Sequence, residues 1–476
     1  MRCVTLGEGP DAPVVRASPA MNANGRTSAR AGTPGVLAGF GAELSSEAEA
    51  GALPREQNSP RRVPMGLFAE QLSATPFLVP RAQNRRSWLY RVRPSTEQGD
   101  FWPVPHPGMS AWGSHVAPNL LGWKPRPLPM TPTDFIDGLI TVALGGSAAD
   151  QSGMAIHSFV TNAPMTRKAL VSADGESLLI PDEGELLVRT EFGRFLIAPG
   201  DVLLVPRGVR FSVDPVGSSA RRGWWVEAFG AGFELPNRGV VGANGLAESR
   251  HFVAPNAEYE DDEATWTIVH KYGGSLFAAE ATHSPFNVVA WHGNAVPLVY
   301  DLARFCPVGS VSFDHPDPSI FTVLTAPTGL PGRNAVDLAL FPARWDAAKH
   351  TFRRPYYHRQ AASEWTAILT GPTSNRVYSR GGSSLTPPMT PHGITPDALE
   401  RELAGKDDEK PRFIGETAMW VQLESHFLLS VTDAWRDAPF RDQDFASVAR
   451  GAKVRFAKPR AEADRSSLDT MPWFKP

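Results

Sequence analysis

The stretch SLLIPDEGELLVRTEFGRFLIAPGDVLLVPRGVRFSV, from Ser177 to Val213, decides the fold. Its apolar runs are short, and each is closed by a breaker: Pro181 to Gly184, Gly193, Pro199–Gly200, Pro206 to Gly208. Val, Ile, Leu and Phe in such runs read as buried strands, because branched and aromatic side chains suit a pleated surface while Gly and Pro end pairing. The same pattern precedes it in GMAIHSFVTN (153–162) and follows it in TWTIVHKYGGSLFAAE (265–280) and FNVVAWHGN (286–294). Upstream, Trp88, Tyr90 and Val92 alternate as a strand should. WVQLESHFLLSV (420–431) reads as a single further strand, with Leu423 and Phe427 among its apolar positions. Helix signals are scarce. The best is TPDALERELAG (395–405), with Thr395 as N-cap, Pro396 at the first helical position and Gly405 past the end. The expected class is mostly β with few short helices.

Within the opening stretch, PGDVLLVPRG (199–208) resembles a run found in cupin barrels: a turn, a buried strand and a second turn that aims the next residue inward. Metal-binding cupins usually place a histidine there. Here Val209, Arg210 and Phe211 follow, so this half reads as a metal-free barrel. A chain of 476 residues exceeds one ordinary domain. We expect two β-rich, cupin-like sub-domains of sandwich or jelly-roll type, at 36–300 and 301–445, between a flexible tail (1–35) and a C-terminal tail (446–476). A net charge of -3 argues against a nucleic-acid partner. Two cysteines, Cys3 and Cys306, exclude a disulfide framework and fit a reducing compartment. With neither a long apolar run nor a leader pattern, a cytoplasmic protein with no membrane partner is expected.

Eight of the twelve histidines fall between residues 251 and 392. His358 and Glu364 lie in PYYHRQAASEW (355–365), and His392 follows in MTPHG. Two imidazoles and one carboxylate on one face of a metal leave open positions, an arrangement that suits Fe(II) with a chelating substrate and dioxygen. A zinc hydrolase would want HExxH on a helix, which this run is not. The plainer alternative pairs Glu364 with Arg353 or Arg359 on a solvated surface. Spacing alone leaves the choice open.

Longer motifs narrow it. PFNVVAWHGNAVPLVYDLARFCPVGSVSFDHPDPSIFTVLT (285–325), FPARW (341–345), TFRRPYYHR (351–359) and MTPHG (389–393) resemble the homogentisate 1,2-dioxygenase family. So do GFGAELSSEA (39–48), GALPREQNSP (51–60), NRRSWLYR (84–91) and GANGLA (242–247). The resemblance implies a non-haem Fe(II) enzyme that inserts both atoms of O2, its co-substrate, into an aromatic ring. Homogentisate would yield maleylacetoacetate, in tyrosine breakdown. It places the iron ligands on His358, Glu364 and His392, and a general base on His292 of WHGN. It also implies a homo-oligomer, a trimer or hexamer.

Departures from the family pattern cluster in GPTSNRVYSRGGSSLTPPMTPHG (371–393). A Tyr and a Lys of the family have no counterpart; Thr373 and Arg376 lie nearest. A family histidine is replaced by Thr386, and a Phe by Trp365. Because the ligands and His292 persist, live iron chemistry on an altered pocket is expected, with Tyr356, Tyr378, Arg376 and Thr386 as candidate substrate contacts. The substrate is then homogentisate, a close hydroquinone-type acid, or a larger phenolic or quinol. A non-catalytic metal-binding protein is the remaining alternative. His315 reads as a turn histidine bonded to Asp314 or Asp317. Lys271 reads as a salt-bridge partner, and Trp224 and Trp225 as packing.

Overall fold

The structure is a computed structural model that describes residues 37–308, 310–349, 351–352, 356–374, 376–405 and 410–456. All of tail 1–35, which includes Cys3, much of tail 446–476 and Arg353 lie outside the described residues. The chain is mostly β, with two short α-helices, Pro396–Leu403 and Asp433–Arg436, among the described residues. The first begins where the sequence places it, and the Thr395 side chain accepts from the Ala398 N–H.

The opening stretch supplies strands Gly175–Glu183, Leu186–Thr190, Gly193–Ile197, Asp201–Val205 and Phe211–Pro215. They divide between two sheets. An eight-stranded sheet holds Gly175–Glu183 between Asp201–Val205 and Arg221–Phe229, and continues through Ser152–Thr161 and Ile140–Ser147. A seven-stranded sheet pairs Leu186–Thr190 with Gly193–Ile197 and Phe211–Pro215. Val202 to Val205, Val209 and Phe211 are all buried.

A second seven-stranded sheet carries the later residues. Its order is Thr322–Pro327, Asn334–Phe341, Met419–Ser425, Ser363–Thr370, Ser383–Thr386, Leu121–Trp123 and Arg441–Asp442. The halves exchange strands. Leu121–Trp123, early in the chain, pairs with Ser383–Thr386. Ser430–Val431, near its end, pairs with Ile140–Ser147. The apolar core accordingly runs without a break through both halves.

That exchange corrects the single strand expected over 420–431. The strand stops at Ser425, whose hydroxyl donates to Ala335 O and accepts from Phe427 N–H. Local side-chain bonding of this kind competes with the ladder, and the chain turns before pairing with the other sheet.

Four indoles tie the large sheets together. Trp365 stacks on Trp123 at 5.2 Å and meets Trp224 edge-on at 5.7 Å; Trp435 lies 6.1 Å from Trp123 and 6.0 Å from Trp224. Trp224 belongs to the eight-stranded sheet and Trp365 to the later one. Inside the first half, Lys271 pairs with Asp174 at 2.5 Å and Glu227 at 2.8 Å, and Glu227 also meets His157 Nε2 at 2.9 Å. All four are buried. No helix among the described residues is long and apolar enough to cross a membrane, which says nothing of β-barrels.

Candidate metal centre

Successive residues of a strand face opposite ways. In Ser363–Thr370, Trp365 enters the indole cluster, so Glu364 faces the other side of the sheet. Register sets Glu364 beside Glu424 on one neighbouring strand and Thr386 on the other. Asp337 lies beyond Glu424. Three carboxylates thus stand in one row across the sheet. Glu364 is 5% exposed, so it is not a solvated surface acid, and its partners are Gln360, Gln422 and His392 rather than Arg359. Burial, and then the neighbouring Glu364 and Asp337 charges, push Glu424 up to about 7.

The two histidines are brought to Glu364 by a backbone bridge. His358 N–H donates to His392 O at 2.9 Å and His392 N–H to His358 O at 3.1 Å, leaving the rings 4.1 Å apart. Each Nδ1 bonds a backbone carbonyl two residues back: Tyr356 O for His358 and Thr390 O for His392, both at 2.9 Å. A carbonyl accepts, so Nδ1 holds the proton and Nε2 is left with a lone pair. Gly393 makes this closeness possible. Its φ is +154°, and a Cβ there would lie 2.6 Å from Tyr356 O and 2.8 Å from Tyr357 Cα.

The three side chains offer ligand atoms within 4.8 Å of one another, the one such group found among the described residues. His392 Nε2 lies 3.1 Å from Glu364 Oε1, yet makes no hydrogen bond. The distance is that of a hydrogen bond; the direction is not. Two lone pairs so close repel unless a cation lies between them. Metal bonds of about 2.1 Å at right angles would set such atoms about 3 Å apart. The residues therefore fit a divalent metal. Without one, burial lowers the His392 imidazole, but Glu364 outweighs this and holds it above its ordinary value.

Family models match almost the whole described chain: "Homogentisate 1,2-dioxygenase N-terminal" over residues 35–302 and "Homogentisate 1,2-dioxygenase C-terminal" over 303–456. The chain belongs to the homogentisate 1,2-dioxygenase family. It is 45% identical over 442 residues to the homogentisate 1,2-dioxygenase of Arabidopsis thaliana, covering 91% of this chain and 95% of that one. With the rice protein of the same name it shares 45% over 435 residues, 88% and 92% of the two chains. A cupin 2 conserved barrel domain protein from Leptotrichia buccalis matches 64% of this chain and 92% of its own at 10% identity, but its TM-score of 0.26 is too low to bear on the fold.

The other expected site residues distribute unevenly. Thr386 sits directly beside Glu364. The Tyr356 ring packs 5.4 Å from His358. Tyr378 and Arg376 are exposed, and the Tyr378 ring rests on Phe445 at 5.7 Å. Their loop is tied back to the first half, where Arg380 pairs with Glu183 at 2.8 Å. His292 lies on Val288–Gly293, in a separate four-stranded sheet, and is not one of the clustered ligand residues. Its Nε2 is 3.1 Å from the Tyr90 hydroxyl, which itself donates to Asn58 O at 2.9 Å. Burial lowers the His292 imidazole; Arg86 adds to this and Glu43 opposes it.

Sequence reading missed Gln360, Gln422 and Glu424. The His315 backbone N–H bonds Asp314 at 2.9 Å, as expected, and its ring lies 5.6 Å from that of Tyr356.

Proposed function

We propose that this protein cleaves the ring of homogentisate, or of a close hydroquinone-type aromatic acid, inserting both atoms of O2. The observation that carries the reading is the convergence of His358, Glu364 and His392 in a member of this family. We assign Fe(II) to that triad. When bound, it would supply a redox-active Lewis acid at which a chelating phenol acid and dioxygen meet.

The chain's own residues do the rest. Tyr356 O and Thr390 O fix the imidazole tautomers, so both rings present Nε2. Glu364 contributes the single negative charge of the ligand set. His292 takes a phenolic proton. Its lowered pKa keeps it neutral at physiological pH, as a base requires. With the Tyr90 hydroxyl donating to Asn58 O, His292 Nε2 donates to Tyr90, leaving Nδ1 as the accepting atom. Tyr356 and Thr386 are the substrate contacts best placed by position, and we assign Tyr378 and Arg376 to the outer wall. Positioning of this kind can supply a large share of the rate.

A second reading keeps the metal site and changes the substrate to a larger phenol or quinol. It is favoured by Thr386, a short side chain beside Glu364 where the family resemblance expects a histidine. We also propose that the protein acts in the cytoplasm, in tyrosine breakdown, as a trimer or hexamer. The test is oxygen uptake by anaerobically Fe(II)-loaded protein given homogentisate, read with the absorbance of the ring-opened product. Uptake lost in His358→Ala and Glu364→Ala supports the first reading. Stoichiometric iron without uptake moves the substrate to the second.

A further inference from the structure

The two oxygens of Glu364 have different surroundings. Oε1 faces the His392 imidazole and takes a hydrogen bond from the Gln360 amide. Oε2 is tied into the sheet, where Gln422 Nε2 donates to it at 2.9 Å. The same nitrogen lies 3.1 Å from Glu424 Oε1 and donates its other hydrogen there. Gln422 and Glu424 are two apart on Met419–Ser425, so they share the face of the sheet that Glu364 uses. One amide therefore spans two carboxylates, with both its hydrogens committed and its rotamer fixed at the far end.

We propose that Gln422 is a positioning residue that holds Glu364 as a one-oxygen ligand. The inference rests on the metal-site reading above. A carboxylate binds a cation through one oxygen or two. Nothing in the backbone of Ser363–Thr370 chooses between these; the choice lies in what Oε2 meets. Both oxygens accept an amide N–H, but the Gln422 bond draws Oε2 back toward the sheet while Oε1 faces the His392 imidazole, so Glu364 presents Oε1 to the ligand set. It then leaves vacant the position that a second oxygen would fill, and which a chelating substrate needs. Packing does not call for an amide at this half-buried strand position, because an unbranched apolar side chain would fill the same volume. Partners that orient metal ligands commonly matter nearly as much as the ligands themselves.

Cobalt(II), added to the full-length chain, tests this. Its d–d absorption weakens as coordination number rises. Gln422→Met keeps length and bulk but removes the donor, and Gln422→Leu serves if that variant does not fold, with far-UV circular dichroism as the check. The expected result is one cobalt per chain in both proteins, with weaker, shifted absorption in the variant. Glu424→Gln keeps the Gln422–Glu364 bond and should retain the parent spectrum. A Gln422→Met spectrum like the parent's overturns the proposal. So does a Glu424→Gln spectrum that matches Gln422→Met, because the effect would then follow charge rather than the amide. Failure of the parent protein to bind cobalt, or binding that survives His358→Ala, overturns the metal-site reading itself and this inference with it.

Discussion

Gly393→Ala should damage the metal centre without unfolding the protein. The new Cβ would sit 2.6 Å from Tyr356 O, the carbonyl that orients the His358 ring. Ordinary carbon–oxygen contacts begin near 3.4 Å, so backbone must move by roughly 0.8 Å. The φ of +154° adds strain, about 1–3 kcal/mol for a side chain held in such a region. The adjacent His392 is displaced and the Tyr356 carbonyl is pushed at once, so both imidazoles lose alignment. Sites of this kind need ligands within about 0.5 Å of their productive positions, and comparable disturbances around metal ligands cost about 10–100-fold in affinity or activity. Metal titration by calorimetry, beside thermal melting of the metal-free chain, separates the two effects. Gly329→Ala is the control, since a Cβ there meets nothing within 4 Å. A Gly393→Ala protein that binds metal as tightly as its parent would refute the reasoning.

Three further outcomes follow from the geometry. Because His292 is held below its ordinary value, the acid limb of kcat/KM should fall below a pH of about 6.5; a limb above that value would remove His292 as the base. Lys271→Met strands two buried carboxylates and should cost about 3–5 kcal/mol at neutral pH, read as a urea midpoint shift. Burial pushes Glu227 up, but Lys271 and His157 outweigh this and hold it near about 2. Its stabilisation is therefore present above the ordinary value of 4.5 and lost as pH falls toward about 2. The gap between parent and Lys271→Met should narrow over that window; a constant gap would mean packing rather than charge. Thr395→Ala removes the cap on Pro396–Leu403 and should cost about 1 kcal/mol locally. It should speed amide exchange in that helix alone.

The strand pattern was legible because breakers bound every apolar run of the opening stretch. The Thr395 cap was legible because its partner is three residues away. The triad was legible as a group of residue types, but its convergence depends on a bridge between His358 and His392 across a strand and turns that no spacing rule encodes. Gln422 was invisible for a related reason. It reaches Glu364 across 58 residues of chain, and a Gln in a strand carries no signature of its target. The His315 bond to Asp314 was legible because its partner is the adjacent residue. The end of WVQLESHFLLSV misled because Ser425 stops the strand through bonds of its own hydroxyl to Ala335 and Phe427.

The exchange of strands between the halves also sets an order of assembly. As the chain leaves the ribosome, Ile140–Ser147 emerges long before Ser430–Val431, its partner on one side. Until then the eight-stranded sheet has an unpaired edge, the kind of surface that recruits stray strands. Leu121–Trp123 waits in the same way for Ser383–Thr386. Neither half can finish alone, and such long-range closure is slow. Truncation anywhere before residue 430 should therefore yield aggregate rather than a free first half.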